Sequence, residues 1–149
     1  MKSRFENAKN SIFNLLKLGA IPIINENDSI STEEILNGDN DRLSGKVATL
    51  LNSRKLFILT DQNGLYDKNP DQNSDAKLIS KINLDKFDFK RVSFGKSGIL
   101  GRGGMTTKIK AARDYLNKTN EVWILNGNEK GIVESAIQKK PLGTKIYLA

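Results

Sequence analysis

The chain has 149 residues, the length of one domain, and 38% of them are apolar with Gly not counted. Neither Cys nor His occurs, so disulfides, Cys- or His-ligated metal centres and mechanisms that need a Cys nucleophile or a His base are excluded. The formal net charge is +7, but the basic residues are scattered and few aromatic residues lie among them, which favours a solvated basic surface over a nucleic-acid interface.

The sequence also carries no sign of export or membrane insertion. No apolar run approaches the ~20 residues of a membrane span. Residues 1–10 are polar and lack the apolar core of a signal peptide. The sequence therefore predicts a soluble, cytoplasmic protein.

The chain begins with a predicted helix and a predicted strand. Apolar residues recur at helical spacing over residues 4–18, and Gly19 follows as a stop signal. Residues 20–24 form a short apolar run, which predicts a buried strand, and the polar cluster 25–28 follows at its carboxyl end. Ligands bind at that end of the strands in open α/β sheets, so the cluster is a candidate site.

A second helix and a second strand come next. Residues 39–41 are good N-cap residues before a run of apolar positions at helical spacing, and residues 56–59 predict another buried strand. Residues 61–74 are rich in Asp, Asn, Gly and Pro and predict a loop. Residues 75–96 show only a weak pattern and predict a connection with little regular structure.

The last third of the chain alternates helix and strand. The glycine-rich residues 101–104 precede a third amphipathic helix over residues 105–116. Strands are predicted over residues 122–125 and 145–148, with a short helix over residues 132–137 between them. Because helices alternate with short apolar strands, the sequence predicts a parallel sheet with helices on its faces.

The strongest local signal for a ligand site is residues 101–108, where glycines immediately precede the third helix. Glycine lets the backbone approach a ligand closely, and the free N–H groups and positive dipole end of a helix favour phosphate. Lys108 is placed in the first turn to reach phosphate oxygens. The stretch is not a Walker A loop, because Ile109 stands where that pattern needs Ser or Thr. Taken alone, it also fits a simple turn.

Two further polar groups lie near predicted strand ends. Asp28 and residues 39–41 could grip an ammonium group or orient a lysine, although capping of the second helix accounts for Asp39 by itself. Thr60 and Asp61 end the second predicted strand, where a hydroxyl could bind a phosphate or a ribose. A turn without any ligand explains most of this second group.

Four segments together resemble the amino acid kinase family and, within it, the glutamate 5-kinases: residues 22–28, 38–44, 59–66 and 103–108. The first two are typical of glutamate 5-kinases, and the other two occur more widely among kinases of carboxylates and phosphates. The resemblance extends over nearly the whole chain and is weak between residues 80 and 97 and after residue 127.

The resemblance implies an α/β fold, a three-layer sandwich with a mainly parallel central sheet. Residues 1–149 would form one partial amino acid kinase domain, with the nucleotide-binding lobe and part of the glutamate site. The family's first strand and glycine-rich loop, which carry a second phosphate-binding lysine, have no counterpart here. The chain is therefore expected to be incomplete at the N-terminus, to expose an apolar sheet edge, and to be a poor kinase or none by itself.

The implied reaction is transfer of the γ-phosphoryl group of ATP to the side-chain carboxylate of L-glutamate, which gives L-glutamyl 5-phosphate on the route to proline. Mg²⁺ would arrive with ATP rather than occupy a dedicated protein site. Intact members are usually homo-oligomers, and neither nucleic acid nor membrane is an implied partner. The alternatives are a nucleotide-binding remnant without catalysis, a related family member with another acceptor and, from the charge, a nucleic-acid-binding module.

The resemblance also assigns roles to individual residues. Asp28 and Asn40 would bind glutamate, with Asn25 as a weaker candidate. Asp41 would hold the catalytic lysines in place, and Lys108 would stabilise the transition state. The nucleotide site would consist of Thr60, Asp61, Arg102, Gly103, Gly104, Met105, Thr106, Thr107 and Lys108. Arg102 departs from the family, which usually has a small residue there; it could contact phosphate or crowd the loop.

Overall fold

The structure, a computed structural model, describes residues 2–25, 40–88, 104–138, 140 and 142–149. Helices and strands alternate along most of this part of the chain. In chain order they are α1 (Lys2–Lys17), α2 (Asn40–Leu50), β1 (Lys55–Thr60), β2 (Lys81–Asn83), α3 (Met105–Tyr115), β3 (Glu121–Asn126), α4 (Ile132–Ile137) and β4 (Thr144–Tyr147).

The strands form one sheet in the order β1-β3-β4-β2. β1 pairs with β3 in parallel and β2 pairs with β4 in parallel, whereas β3 and β4 are antiparallel. The sheet is thus mainly parallel, as predicted. Because the central pair is antiparallel, the carboxyl ends of β1 and β3 lie at one edge of the sheet and those of β2 and β4 at the opposite edge. The edge at the carboxyl ends of β1 and β3 carries the candidate site.

Alternating side chains of the strands fill two cores, one on each face of the sheet. Val122 and Ile124 of β3 point into the larger core, where α2 and α3 pack. Trp123 and Leu125 point to the opposite face and pack with Ala136 of α4. Helices therefore cover both faces of the described sheet, which confirms the three-layer α/β architecture.

Most predicted elements are present within a residue or two of their expected bounds, but β2 was missed. Its three residues lie inside the stretch predicted to hold little regular structure, and residues 89–96 of that stretch lie outside the described part. β2 carries one buried side chain, Ile82, and its strand partner is β4 near the end of the chain. So short a strand leaves no periodic signal, because a long-range partner defines it.

The predicted strand over residues 20–24 is wrong: these residues belong to no strand. The side chains of Ile21 and Ile23 are 88% and 95% exposed. In the described part of the chain β1 pairs only with β3, and no strand pairs with residues 20–24. An apolar run is buried as a strand only where a neighbouring strand exists, so composition alone overstated its burial.

The helix predicted at the start of the chain is present as α1, but its apolar side chains remain largely exposed. Phe5 is 59% exposed and Leu16 is 45% exposed. The helical spacing therefore predicted the secondary structure correctly, while the buried face that such spacing usually indicates is not covered by the described residues.

An ionic cluster closes the end of the sheet opposite the candidate site. The Glu121 carboxylate, at the start of β3, forms ion pairs with Lys55 on β1 (3.6 Å) and with Lys145 on β4. The Trp123 indole N–H also donates to this carboxylate at 3.1 Å. Burial alone would raise the pKa of Glu121, but the hydrogen bonds from Lys145 and Trp123 and the two positive charges outweigh it and lower that pKa.

Replacing Glu121 by glutamine is expected to make the free energy of unfolding fall less steeply as the pH is lowered. A carboxyl group with a lowered folded-state pKa stabilises the fold above its unfolded pKa, about 4.3, and this contribution is lost as pH falls through the folded value. Urea unfolding between pH 7 and pH 3 measures the effect, with the exposed Glu129→Gln as a control. An unchanged pH slope in Glu121→Gln would contradict the cluster's contribution.

Candidate active site

The candidate site begins with the packing of α2 against α3. Asp41 near the start of α2 contacts Lys108 near the start of α3. Four residues further along α2, a Cβ placed on Gly45 would lie 3.2 Å from the carbonyl oxygen of Ala111, which is three residues further along α3. The helices therefore run parallel, and their N-terminal turns lie side by side. Two helix dipoles thus present their positive ends at one place, which favours a bound anion.

Asp41 lies in the first turn of α2 and binds two residues of α3. Its Oδ2 accepts a hydrogen bond from Lys108 Nζ at 3.0 Å, and its Oδ1 lies 3.3 Å from the same ammonium. The Thr107 hydroxyl lies 2.7 Å from Asp41 Oδ2 and 2.8 Å from the Gly104 carbonyl, so its single proton is shared between two acceptors. These bonds fix the position and orientation of the Lys108 ammonium.

Lys108 occupies a position that local electrostatics disfavour. A cation near the N-terminus of a helix faces the positive end of the dipole, and the first turn of α3 contains no acidic residue that would offset it. The Lys108 side chain is only 14% exposed, and its ammonium is paired with the Asp41 carboxylate at 3.0 Å. A cation held against the local field in this way is expected where it meets an anionic ligand.

A cavity of about 210 Å³ opens beside the start of α3; we call it the α3 cavity. It brings together Thr60 and Asp61 from the carboxyl end of β1 with Gly104 and Met105 from the start of α3. The Thr60 hydroxyl donates to Asp61 Oδ1 at 3.0 Å, which orients that carboxylate. Two predicted segments that lie more than forty residues apart in the sequence therefore form one site.

Gly104 is the N-cap of α3 and has a conformation that other residues avoid. Its φ is 75° and its ψ is −144°, and no side chain caps the helix through it. Among the described residues, no atom lies within 4 Å of the place that a Cβ would take at this position. Within the described part of the chain, the glycine therefore lets a ligand approach the N-terminus of α3 closely.

The other predicted site residues are placed differently. Asn40 is the first residue of α2 and lines a separate groove, of about 470 Å³, beside β1. Thr106 is 7% exposed. The lining of the α3 cavity reaches α3 only at Gly104 and Met105, so Thr106, Thr107 and Lys108 lie further along the same helix and outside that lining. Asp28, Arg102 and Gly103 lie outside the described residues.

One wall of the cavity is formed by a loop whose role in a site was only weakly indicated by the sequence. Tyr66, Lys68, Asn69 and Asp71 line it from the loop that follows β1. The sequence predicted this loop but offered a turn as its main explanation. Its position directly after a buried strand was the available signal, since ligands bind at the carboxyl ends of strands.

Neither a cluster of metal-ligating side chains nor a membrane-spanning helix is present among the described residues. No cluster of three or more Asp or Glu residues suited to a metal ion is present there. No helix in the same ranges is long and apolar enough to cross a membrane.

Comparison with solved structures supports a kinase fold. The structure resembles that of UMP kinase from Bacillus anthracis, with a TM-score of 0.54, 22% identity, and coverage of 72% of this chain and 39% of that one. It also resembles a solved isopentenyl phosphate kinase, with a TM-score of 0.52, 27% identity, and coverage of 71% and 36%. The antiparallel and parallel strand pairs described above are thus part of a known architecture.

Sequence relatives give a narrower result. The chain is 41% identical over 143 residues to a glutamate 5-kinase of Hydrogenovibrio crunogenus, and 43% identical over 143 residues to one of Shewanella pealeana. These matches include 96% of this chain but 38% of each relative, so the chain spans less than two-fifths of the length of the curated relatives it matches. The profile of the amino acid kinase family matches residues 2–126. The chain therefore belongs to the amino acid kinase family.

Proposed function

We propose that the chain binds Mg·ATP in the α3 cavity and serves transfer of the γ-phosphoryl group to the side-chain carboxylate of L-glutamate. The product would be L-glutamyl 5-phosphate, an intermediate on the way to proline. The proposal is supported by the glutamate 5-kinase relatives at about two-fifths identity. The observation that carries it is the Lys108 ammonium, held by Asp41 where the N-termini of two parallel helices meet.

The residues present suit the phosphates of a nucleotide. Gly104 is the N-cap of α3, and the positive end of the helix dipole at this N-terminus favours phosphate oxygens. Lys108 supplies a positive charge at the same end of the helix. Mg²⁺ bound with ATP would neutralise further phosphate charge. Thr60 and Asp61 form the opposite rim and would contact the remainder of the nucleotide.

The reaction requires no general base from the protein. A carboxylate is already ionised and nucleophilic at neutral pH, so the absence of His and Cys is no obstacle. Catalysis then depends on alignment of the two substrates and on neutralisation of the charge that develops on the transferred phosphoryl group. Lys108 would provide the charge, and Asp41 would keep its ammonium in place.

A second candidate function is nucleotide binding without turnover. The described residues that converge belong to the nucleotide side, whereas Asn40, a proposed glutamate ligand, lines a separate groove. That separation of the two linings favours a site that binds a nucleotide over one that also binds an acceptor. That the protein forms homo-oligomers and that it is cytoplasmic both stay predictions.

Glutamate-dependent release of ADP tests the proposal and separates the candidates. The purified chain is incubated with Mg·ATP and either L-glutamate, L-aspartate, UMP or no acceptor. Release that requires L-glutamate is the expected result for the kinase. Release with another acceptor alone would contradict the glutamate assignment. Saturable binding of Mg·ADP without release by any acceptor would establish the second candidate in place of the first.

Replacing Gly104 by alanine is expected to weaken binding of Mg·ADP. An L-residue at this φ and ψ costs about 1–3 kcal/mol, so the start of α3 would shift to a more ordinary conformation and its N–H groups would turn away from the ligand. Isothermal titration measures the affinity. Gly131→Ala is the control, because Gly131 has a similar φ of 73° but caps α4. Equal affinity in both variants would contradict a role for Gly104 in binding.

A further inference from the structure

One wall of the α3 cavity is a compact loop, residues 66–78, whose base is formed by Leu65 and Ile79. The Ile79 N–H donates to the Leu65 carbonyl at 2.7 Å, which closes the base. Of the twelve residues that line the cavity, seven lie between residues 64 and 71. The position of this loop relative to α3 therefore sets the width of the cavity.

Internal bonds give the loop a defined shape. The Asp67 N–H donates to the Lys77 carbonyl at 3.0 Å, and the Lys77 N–H donates to the Asp67 carboxylate at 2.8 Å. Lys68 forms an ion pair with Asp75 at 2.6 Å, across the loop. A loop stabilised by its own side chains behaves as a unit, so its orientation is decided at the base.

Thr144 on β4 joins the base of this loop to the sheet. Its Oγ1 accepts a hydrogen bond from the Leu65 N–H at 2.7 Å and donates one to the Ile79 carbonyl at 2.7 Å. The side chain is fully buried, so water cannot replace these bonds. A Cβ on Gly64 would lie 2.6 Å from the same Oγ1, so glycine leaves room for the contact.

The connection continues through the sheet to the other side of the cavity. β4 pairs with β3, and β3 pairs in register with β1 as far as Thr60, which lines the cavity. We propose that Thr144 is a positioning residue of the nucleotide site, whose hydroxyl holds the loop at the distance from α3 that a bound nucleotide requires. This inference rests on the proposed binding of Mg·ATP in the α3 cavity.

Paired substitutions at Thr144 test the inference. Thr144→Val keeps the shape of the side chain but removes the hydroxyl, and we expect it to weaken binding of Mg·ADP at least tenfold. Thr144→Ser keeps the hydroxyl and is expected to stay within about threefold of wild type. Thr49→Val is the control for loss of a threonine hydroxyl, because the Thr49 hydroxyl donates to the Gly45 carbonyl within its own helix, α2. Affinities are measured by titration at a temperature where urea curves show each variant to be folded.

The outcomes separate this inference from the proposed function. If the wild-type chain binds Mg·ADP and Thr144→Val binds it equally well, the positioning role is overturned and the nucleotide site stands. If the folded wild-type chain does not bind Mg·ADP, both are overturned. If Thr144→Val does not fold, hydrogen exchange of the wild-type chain decides: Mg·ADP should slow exchange over residues 64–79, and unchanged exchange there overturns the inference.

Discussion

Replacing Lys108 by alanine is expected to lower the rate of glutamate-dependent phosphoryl transfer by about 10²–10³-fold, the usual cost of one preorganised charge or donor at a developing anion. The Lys108 side chain is 14% exposed, and Asp41 holds its ammonium at 3.0 Å, so the positive charge is fixed in one place. Because the removed charge acts mainly on the transition state, the affinity for Mg·ADP should fall much less than the rate.

Lys110 offers the matched control for this variant. It lies on the same helix two residues further along, and its side chain is exposed. Lys110→Ala removes the same net charge without touching Asp41, so its transfer rate should equal that of the wild type. Initial rates of ADP release with saturating Mg·ATP provide the measurement. A Lys108→Ala chain that transfers phosphoryl as fast as Lys110→Ala would contradict the proposed role.

Replacing Gly143 by alanine is expected to lower the free energy of unfolding by about 2–5 kcal/mol, more than any other substitution proposed for this chain. Gly143 has a φ of 60°, a conformation that costs an L-residue energy by itself. A Cβ would in addition overlap the carbonyl oxygen of Ile124 and lie 2.8 Å from Leu125 Cδ2. Both atoms belong to the central strand β3, which cannot move without disturbing both cores.

Gly131→Ala isolates the steric part of this effect. Gly131 has a φ of 73°, but the nearest atom to an added Cβ is Glu134 Oε2 at 3.2 Å, the end of a flexible side chain. Its cost should therefore be limited to the backbone strain of about 1–2 kcal/mol. Urea unfolding of the three chains gives the comparison. Equal free energies of unfolding for the two variants would show that the space around Gly143 is not as tight as described.

Local sequence signals predicted those parts of the fold that depend on neighbouring residues. The helical spacing of Ile109 and Ala112 after a glycine-rich stretch indicated α3, and the apolar run after Glu121 indicated β3. Lys108 was placed correctly in the first turn of a helix for the same reason. Its partner Asp41, however, lies on α2. The residue pattern suggested only that residues 39–41 could orient a lysine, and the family resemblance assigned that role to Asp41.

Features that depend on distant partners could not be predicted. β2 exists because β4 pairs with it, and nothing in its three residues announces that partner. Thr144 bonds to backbone atoms 79 and 65 residues away, and as one threonine in a short strand it carries no local signal. The prediction for residues 20–24 shows the opposite error, a strand that was predicted but is absent. Their apolar pattern predicted a strand, but the described part of the chain supplies no neighbouring strand to pair with it.

The central claim is that the α3 cavity is a nucleotide site, and titration of the folded wild-type chain with Mg·ADP, followed by hydrogen exchange of the complex, tests it most directly. We predict one saturable site per chain, with slower exchange at the start of α3 and over residues 60–66. A folded chain that shows no saturable binding would contradict the claim, and so would binding that protects another part of the molecule.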